Sequence, residues 1–172
     1  MPEKKIRISA GEIAERVQAI GQQISSENYS NLLVVGILNG AFIFTADLVR
    51  AISTPLEIDF IRVASYGDGT SSSGEIKLFK DLELSVTGKN VLLVEDIVDT
   101  GNTITWLDEH LQDRGAASIK LCALIDKRER REREVEIDYC GFQVQDGFLV
   151  GYGLDHADQY RHLPDIYILH DR

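Results

Sequence analysis

Residues 91–103 read V-L-L-V-E-D-I-V-D-T-G-N-T, and no other stretch of the chain narrows the possible folds as far. Val91 to Val94 form an unbroken apolar run, which needs cover on both faces, as a parallel strand between helices has. From Ile104 onward the apolar positions Ile104, Leu107 and Leu111 fall at helical spacing, and Gly115 supplies a stop after Arg114. A buried strand therefore turns through small polar residues straight into a helix. Units of that kind build open α/β sheets, which hold ligands at the C-terminal ends of their strands.

Thr100, Gly101, Asn102 and Thr103 sit at the helix N-terminus. Free N–H groups and the positive end of the helix dipole receive a phosphate there, and the two threonine hydroxyls add donors. No lysine follows the glycine, which excludes a P-loop of the G-x-x-x-x-G-K-[ST] kind. Glu95 and Asp96 beside an anion site must face something other than phosphate, either sugar hydroxyls or Mg²⁺, which takes oxygen ligands. Asp99 can hydrogen-bond or deprotonate a ring nitrogen close to the sugar. Taken singly, Asp96 and Asp99 are helix caps and Glu95 an exposed strand end. Three acids with T-G-x-T after a buried strand outweigh that reading. An acidic pair after an apolar strand also suits a receiver domain or a Walker B strand. The first carries its acids near the chain start, and the second needs the missing P-loop.

Four further segments stand out. Gly36-Ile37-Leu38-Asn39-Gly40-Ala41 is a strand end leading into a helix. Ser65-Tyr66 precedes G-D-G-T-S-S-S-G at 67–74, which has the composition of a mobile loop between a strand over 56–64 and a shorter one over 75–79. Leu121 to Ile125 is another buried strand, followed by Asp126 and Lys127. Lys127 opens K-R-E-R-R-E-R-E at 127–134, whose mixed signs read as a solvated connector rather than a nucleic-acid patch. Phe148 to Gly151 is a strand running into a turn and then into Asp155 and Arg161, by themselves a surface ion pair.

The 91–103 segment resembles the phosphoribosyl pyrophosphate (PRPP) motif of the type I phosphoribosyltransferases, in the Glu-Asp form of the hypoxanthine-guanine branch. The four further segments follow in that family's order, so the resemblance covers about Leu32 to His170. It implies an α/β fold with a mainly parallel sheet flanked by helices, and a small hood from the N-terminal region and roughly 140–172. It implies purine salvage: Mg²⁺-dependent transfer of 5-phosphoribosyl from PRPP to N9 of hypoxanthine or guanine, giving the nucleoside monophosphate IMP or GMP and pyrophosphate.

The same resemblance assigns roles. Thr100, Gly101, Asn102 and Thr103 would hold the 5′-phosphate, Glu95 and Asp96 the ribose hydroxyls, and Asp99 would be general base toward the purine N7. Leu38, Asn39 and Gly40 would bind pyrophosphate through a loop with a cis peptide at Leu38-Asn39; Asn39 stands where many relatives carry Lys or Arg. Arg161 would pair with pyrophosphate oxygens, for which a guanidinium is well shaped. Lys127 would donate to O6 of a 6-oxopurine base, Phe148 would stack on the ring, and the backbone at Leu149 would read its edge. Glu95, Asp96 and Asp155 would be the Mg²⁺ ligands, Asp155 near the purine and serving a second ion. Ser65 and Tyr66 would belong to a loop that closes over the site and excludes water. A homodimer or homotetramer is implied, with apolar surface near Phe42, Phe44 and the first helix available to it.

Composition agrees. A chain of 172 residues with 44% hydrophobic content suits one domain, 1–172, with a full core. A net charge of −10 argues against nucleic acid as the main partner and leaves an anionic substrate dependent on local donors and Mg²⁺. It also counts against an RNA-binding pyrimidine-operon regulator on the same fold; a xanthine-preferring enzyme is the other alternative. Cys122 and Cys140, without metal spacing, suggest buried thiols in a reducing compartment, and no leader or membrane span is visible, so a cytoplasmic location is expected. Ser9-Ala10-Gly11-Glu12 is a capping box for a first helix reaching about Ser25, with Ile13, Val17 and Ile20 facing inward. Strands are expected near 32–38, 56–64, 91–95, 118–125, 147–151 and 165–169, and helices at 41–52 and 101–114.

Overall fold

The computed structural model describes residues 3–66 and 75–170; the segment 67–74, where the sequence suggests a loop, lies outside the described residues. In chain order the elements are β1 (Glu3–Ile8), α1 (Ala10–Ser26), β2 (Leu32–Leu38), α2 (Phe42–Ala51), β3 (Leu56–Tyr66), β4 (Glu75–Lys80), β5 (Asn90–Val98), α3 (Asn102–Asp113), β6 (Ser118–Lys127), β7 (Tyr139–Val144), β8 (Phe148–Val150) and β9 (Ile166–His170). A large sheet has the order β4-β3-β2-β5-β6-β7, antiparallel at the β3–β4 edge and parallel in its other pairs. A small antiparallel sheet, β1-β9-β8, makes the hood.

The apolar runs become strands covered on both faces because alternate side chains serve two cores. Leu32, Val34, Leu92 and Val94 pack with α1 and α2 through Ile13, Val17, Ile20, Phe44 and Leu48. Leu33, Val35, Val91 and Leu93 pack with α3 through Ile104, Leu107 and Leu111. Each such side chain, once fully buried, contributes about 1.5–3 kcal/mol before the entropy of ordering is subtracted. Where α1 and α2 pass closest, a Cβ on Gly21 would run into the backbone of Ala51, so glycine is what permits the approach. The capping box of α1 closes as the sequence suggests, with Glu12 N–H donating to Ser9 Oγ at 3.2 Å and Ser9 N–H to Glu12 Oε2 at 2.8 Å. By contrast, α2 and α3 begin at Ala41 and Gly101 with no capping bond from those residues' side chains.

Three expectations need correction. Glu3–Ile8 is a strand, although five of its six residues are exposed, Ile6 among them, and its only apolar residues are Ile6 and Ile8; pairing with β9 decides it. Tyr139–Val144, placed by the sequence in the hood from about 140, is the edge strand of the large sheet, because its register on β6 buries Tyr139 and Val144. The hood sheet therefore takes its C-terminal strands from after Val144. Phe44 belongs to the core at 0% exposure and offers no surface, whereas Phe42 is 42% exposed.

Candidate active site

Parallel pairing of β2, β5 and β6 brings three strand ends to one edge of the sheet. Gly36 lies opposite Val94, Glu95 opposite Ala123, and Val98 opposite Asp126. The edge thus collects Leu38 to Gly40 after β2, the acids and the small-residue turn of β5, and Lys127 at the end of β6.

Glu95 is buried, and Asp96 follows it toward the edge. Asp96 N–H donates to Glu95 Oε1 at 3.0 Å, and Ile97 N–H to Asp96 Oδ1 at 2.7 Å. Burial pushes the Glu95 carboxyl well above its usual range, and the neighbouring Asp96 charge adds to that. Burial raises Asp96 too, against the pull of its hydrogen bonds and of the Arg161 charge. Two adjacent carboxylates that repel one another in a dry place fit a divalent cation, which would relieve both penalties. Among the described residues no three Asp, Glu, His or Cys form a cluster that could hold a metal ion, and a cation on this pair would draw its remaining ligands from substrate and water.

The backbone packs tightly onto this pair. The Leu38–Asn39 peptide is cis, as the resemblance implies. A Cβ on Gly40 would overlap the Asp96 carboxylate, and a Cβ on Gly153 would overlap the Gly40 carbonyl. Acid pair, Leu38 to Gly40 loop and hood are therefore stacked in series, with glycine at both contacts.

In the β5–α3 turn, Gly101 has φ 87°, a left-handed conformation that suits glycine. Asn102 N–H donates to Thr100 Oγ1 at 3.3 Å, and Thr105 N–H to the Gly101 carbonyl at 3.1 Å. The 128–133 segment lies across the turn, with the N–H groups of Glu132 and Arg133 on the Thr100 carbonyl at 2.9 and 3.0 Å. Asn102 Nδ2 donates to Glu132 Oε2 at 2.8 Å. Asp99 Oδ2 faces Arg130 at 3.6 Å, while Asp99 Oδ1 is buried and, among the described residues, has no hydrogen-bond partner. That oxygen is a spare acceptor of the kind a general base needs.

On the other wall, the Lys127 side chain is 12% exposed with Nζ 3.7 Å from Glu129 Oε2. Phe148 is 50% exposed and meets His156 edge-on at 5.1 Å between ring centroids, while Leu149 is buried. A half-bare phenylalanine beside a buried strand leaves a ring face for a flat ligand. Arg161 Nη1 donates to the Gly153 carbonyl at 2.8 Å and Nη2 pairs with Asp155 at 3.3 Å. Asp155 also accepts the Asp158 N–H at 2.9 Å. Ser65 is exposed near the end of β3, and Tyr66 closes that strand.

The sequence matches the phosphoribosyl transferase domain over residues 9–157. The chain belongs to this family. It is 46% identical over 167 residues to the hypoxanthine-guanine phosphoribosyltransferase of Bacillus subtilis (strain 168), covering 96% of this chain and 93% of that one. It is 48% identical over 167 residues to the bifunctional protein TilS/HprT of Listeria monocytogenes serotype 4b (strain F2365), with 96% of this chain covered but 26% of that protein. The chain thus spans about a quarter of the length of the bifunctional relative. A crystal structure of a hypoxanthine-guanine phosphoribosyltransferase from Bacillus anthracis, with a HEPES molecule in its active site, superposes with a TM-score of 0.92 at 40% identity. That match covers 98% of this chain and 99% of that one.

The residues singled out from sequence do not all fall in one place. Leu38 to Gly40, Glu95, Asp96 and Asp99 to Thr103 gather on the sheet edge, and Lys127 ends the adjoining strand. Among the described residues Asp155 does not join Glu95 and Asp96 in a cluster that could hold a metal ion, and it is engaged with Arg161. One residue was missed. Arg131 sits within the 127–134 run expected to be solvated, yet its side chain is 7% exposed, with Nε donating to the Asp99 carbonyl at 2.9 Å and Nη2 to Asp126 Oδ1 at 2.6 Å. Flanked by charges of both signs, it gives no signal of burial in sequence.

Proposed function

We propose that this phosphoribosyltransferase moves the 5-phosphoribosyl group of PRPP to N9 of hypoxanthine or guanine, releasing pyrophosphate and IMP or GMP. The observation that carries the reading is the unpartnered, buried Asp99 Oδ1, on the strand that also bears the acid pair and runs into the α3 start. The names of the Bacillus relatives support the base class.

The 5′-phosphate would rest on the N–H groups and hydroxyls of Thr100 to Thr103, held by the helix dipole. Mg²⁺ on Glu95 and Asp96, themselves facing the ribose hydroxyls, would supply charge to the pyrophosphate as it leaves. Leu38 to Gly40 would offer backbone N–H groups to the same leaving group, and Arg161 would exchange Asp155 for its oxygens, leaving Asp155 for a second ion. As the bond from the anomeric carbon to pyrophosphate breaks, N9 bonds to that carbon and Asp99 takes the N7 proton. Preorganised charges account for most of the acceleration. Lys127 would turn from Glu129 to the base O6, Phe148 would stack on the ring, and the Leu149 backbone would read its edge. Closure by the loop after Ser65 and Tyr66 would exclude water.

The hood and large sheet would form one unit over 1–172. A homodimer or homotetramer is proposed, with exposed Phe42 in its contact. Cytoplasmic residence is supported by Cys122 and Cys140, both free thiols, the first buried and the second partly so. Among the described residues no helix is long and apolar enough to cross a membrane, and a net charge of −10 disfavours nucleic acid. Pyrophosphate release from PRPP and Mg²⁺ with hypoxanthine, guanine, xanthine, adenine or uracil tests the reading. Release with the first two is expected; release with uracil, or with none, overturns it.

A further inference from the structure

We propose that Arg131 is a positioning residue that holds Asp99 and Lys127 in one frame, an inference that rests on the functional reading above. The β5–β6 ladder ends at Val98 opposite Asp126, so the next carbonyls lie where this strand pairing stops. The Arg131 guanidinium takes over at that point. Nε donates to the Asp99 carbonyl at 2.9 Å, and Nη2 lies 3.3 Å from the Val98 carbonyl and 3.4 Å from that of Lys127. Asp126 Oδ1, at 2.6 Å, anchors the same nitrogen, and the two side chains are 7% and 3% exposed.

A planar fork can span two strand ends and a carboxylate at once. A lysine ammonium, whose donors radiate from one point, cannot reach the same set. Both Arg131 Nη1 and Asp99 Oδ1 are buried without partners among the described residues, so the junction keeps one donor and one acceptor unused. The other arginines of the run, Arg128, Arg130 and Arg133, are exposed. Arg131 acts on the base half of the site through backbone carbonyls, and its bonds bypass the acid pair.

The test is steady-state kinetics of Arg131→Lys with hypoxanthine and with PRPP. A fall in kcat of about tenfold and a rise in the hypoxanthine KM of about fivefold are expected, with the PRPP KM within about twofold of wild type. KM does not depend on the folded fraction, so lost protein cannot imitate the split. Should Arg131→Lys not fold, Asp126→Asn carries the test, because it leaves the guanidinium in place but loosens its anchor; the same split, smaller, is expected. Unchanged values for hypoxanthine, or equal rises in both KM values, overturn the proposal. A wild type that releases no pyrophosphate with any 6-oxopurine brings down the functional reading and this inference together. An active wild type with a variant that behaves like it brings down the inference alone.

Discussion

At the end of β5, Glu95 and Asp96 are pressed together, hydrogen-bonded to the backbone N–H groups that follow them and held above their usual protonation range. In the hood, Asp155 and Asp158 share Arg161 at 3.3 and 3.7 Å, and Asp158 is 93% exposed. The first pair lies in a drier place, where burial outweighs the pull of the Arg161 charge on Asp96; the second is ion-paired with that arginine directly. The backbones differ in the same sense. The β5 end runs on beyond its pairing with β2, which stops at Val94, and is held by its parallel ladder with β6 through Val98, whereas the hood turn is built from left-handed residues, Gly151, Tyr152, Gly153, Ala157, Asp158 and Tyr160 among them. Fixed chemistry sits on the rigid sheet, and contacts that must be exchanged for substrate sit on turns.

Experiments can break or sharpen this contrast. Asp99→Asn should cost the most: a drop in kcat of about 10²–10⁴ with IMP affinity changed by less than about threefold, read by steady-state kinetics and direct binding. Comparable losses in both would deny Asp99 its part in proton transfer. Lys127→Ala comes next. Losing a charged donor to O6 should lower the preference for hypoxanthine over adenine by about tenfold or more, and an unaltered base ranking would refute the assignment.

Glu95→Gln addresses the buried pair itself. Because the folded protein holds the Glu95 proton to higher pH than the unfolded chain does, that contribution is fully present below the ordinary Glu range. It drains as pH rises through the raised value. In metal-free protein at pH 8 the substitution should therefore raise the melting temperature by roughly 2–4 °C and flatten its decline with pH, while lowering activity. A lower melting temperature would mean that the carboxylates are already neutralised and the contrast with the hood is false. Asp158→Ala, at the exposed edge of the Arg161 cluster, should change stability by less than about 0.5 kcal/mol in chemical denaturation.

Much of this was legible before any coordinates. The strands near 32–38 and 91–95, the first helix with its Ser9–Glu12 box and the turn at Thr100 to Thr103 each announce themselves within a few residues, because burial on two faces and helix capping are local demands. The assignment of Phe44 failed for a related reason. Phe42 and Phe44 lie two residues apart on one helix, and nothing near them says which side the sheet will occupy.

By itself the sequence determined where buried strands run, where helices start and which short segments carry chemistry, since apolar runs and small-residue turns act over a handful of neighbours. Only the tertiary structure decided that Glu3–Ile8 pairs with β9, that Tyr139–Val144 joins the large sheet, and that Gly40 and Gly153 stack over Asp96. It also selected Arg131 for burial from a run of like residues, because carbonyls left at the ends of two strands needed a donor fork that reaches both. Such choices depend on partners distant in the chain, and local pattern holds no record of them.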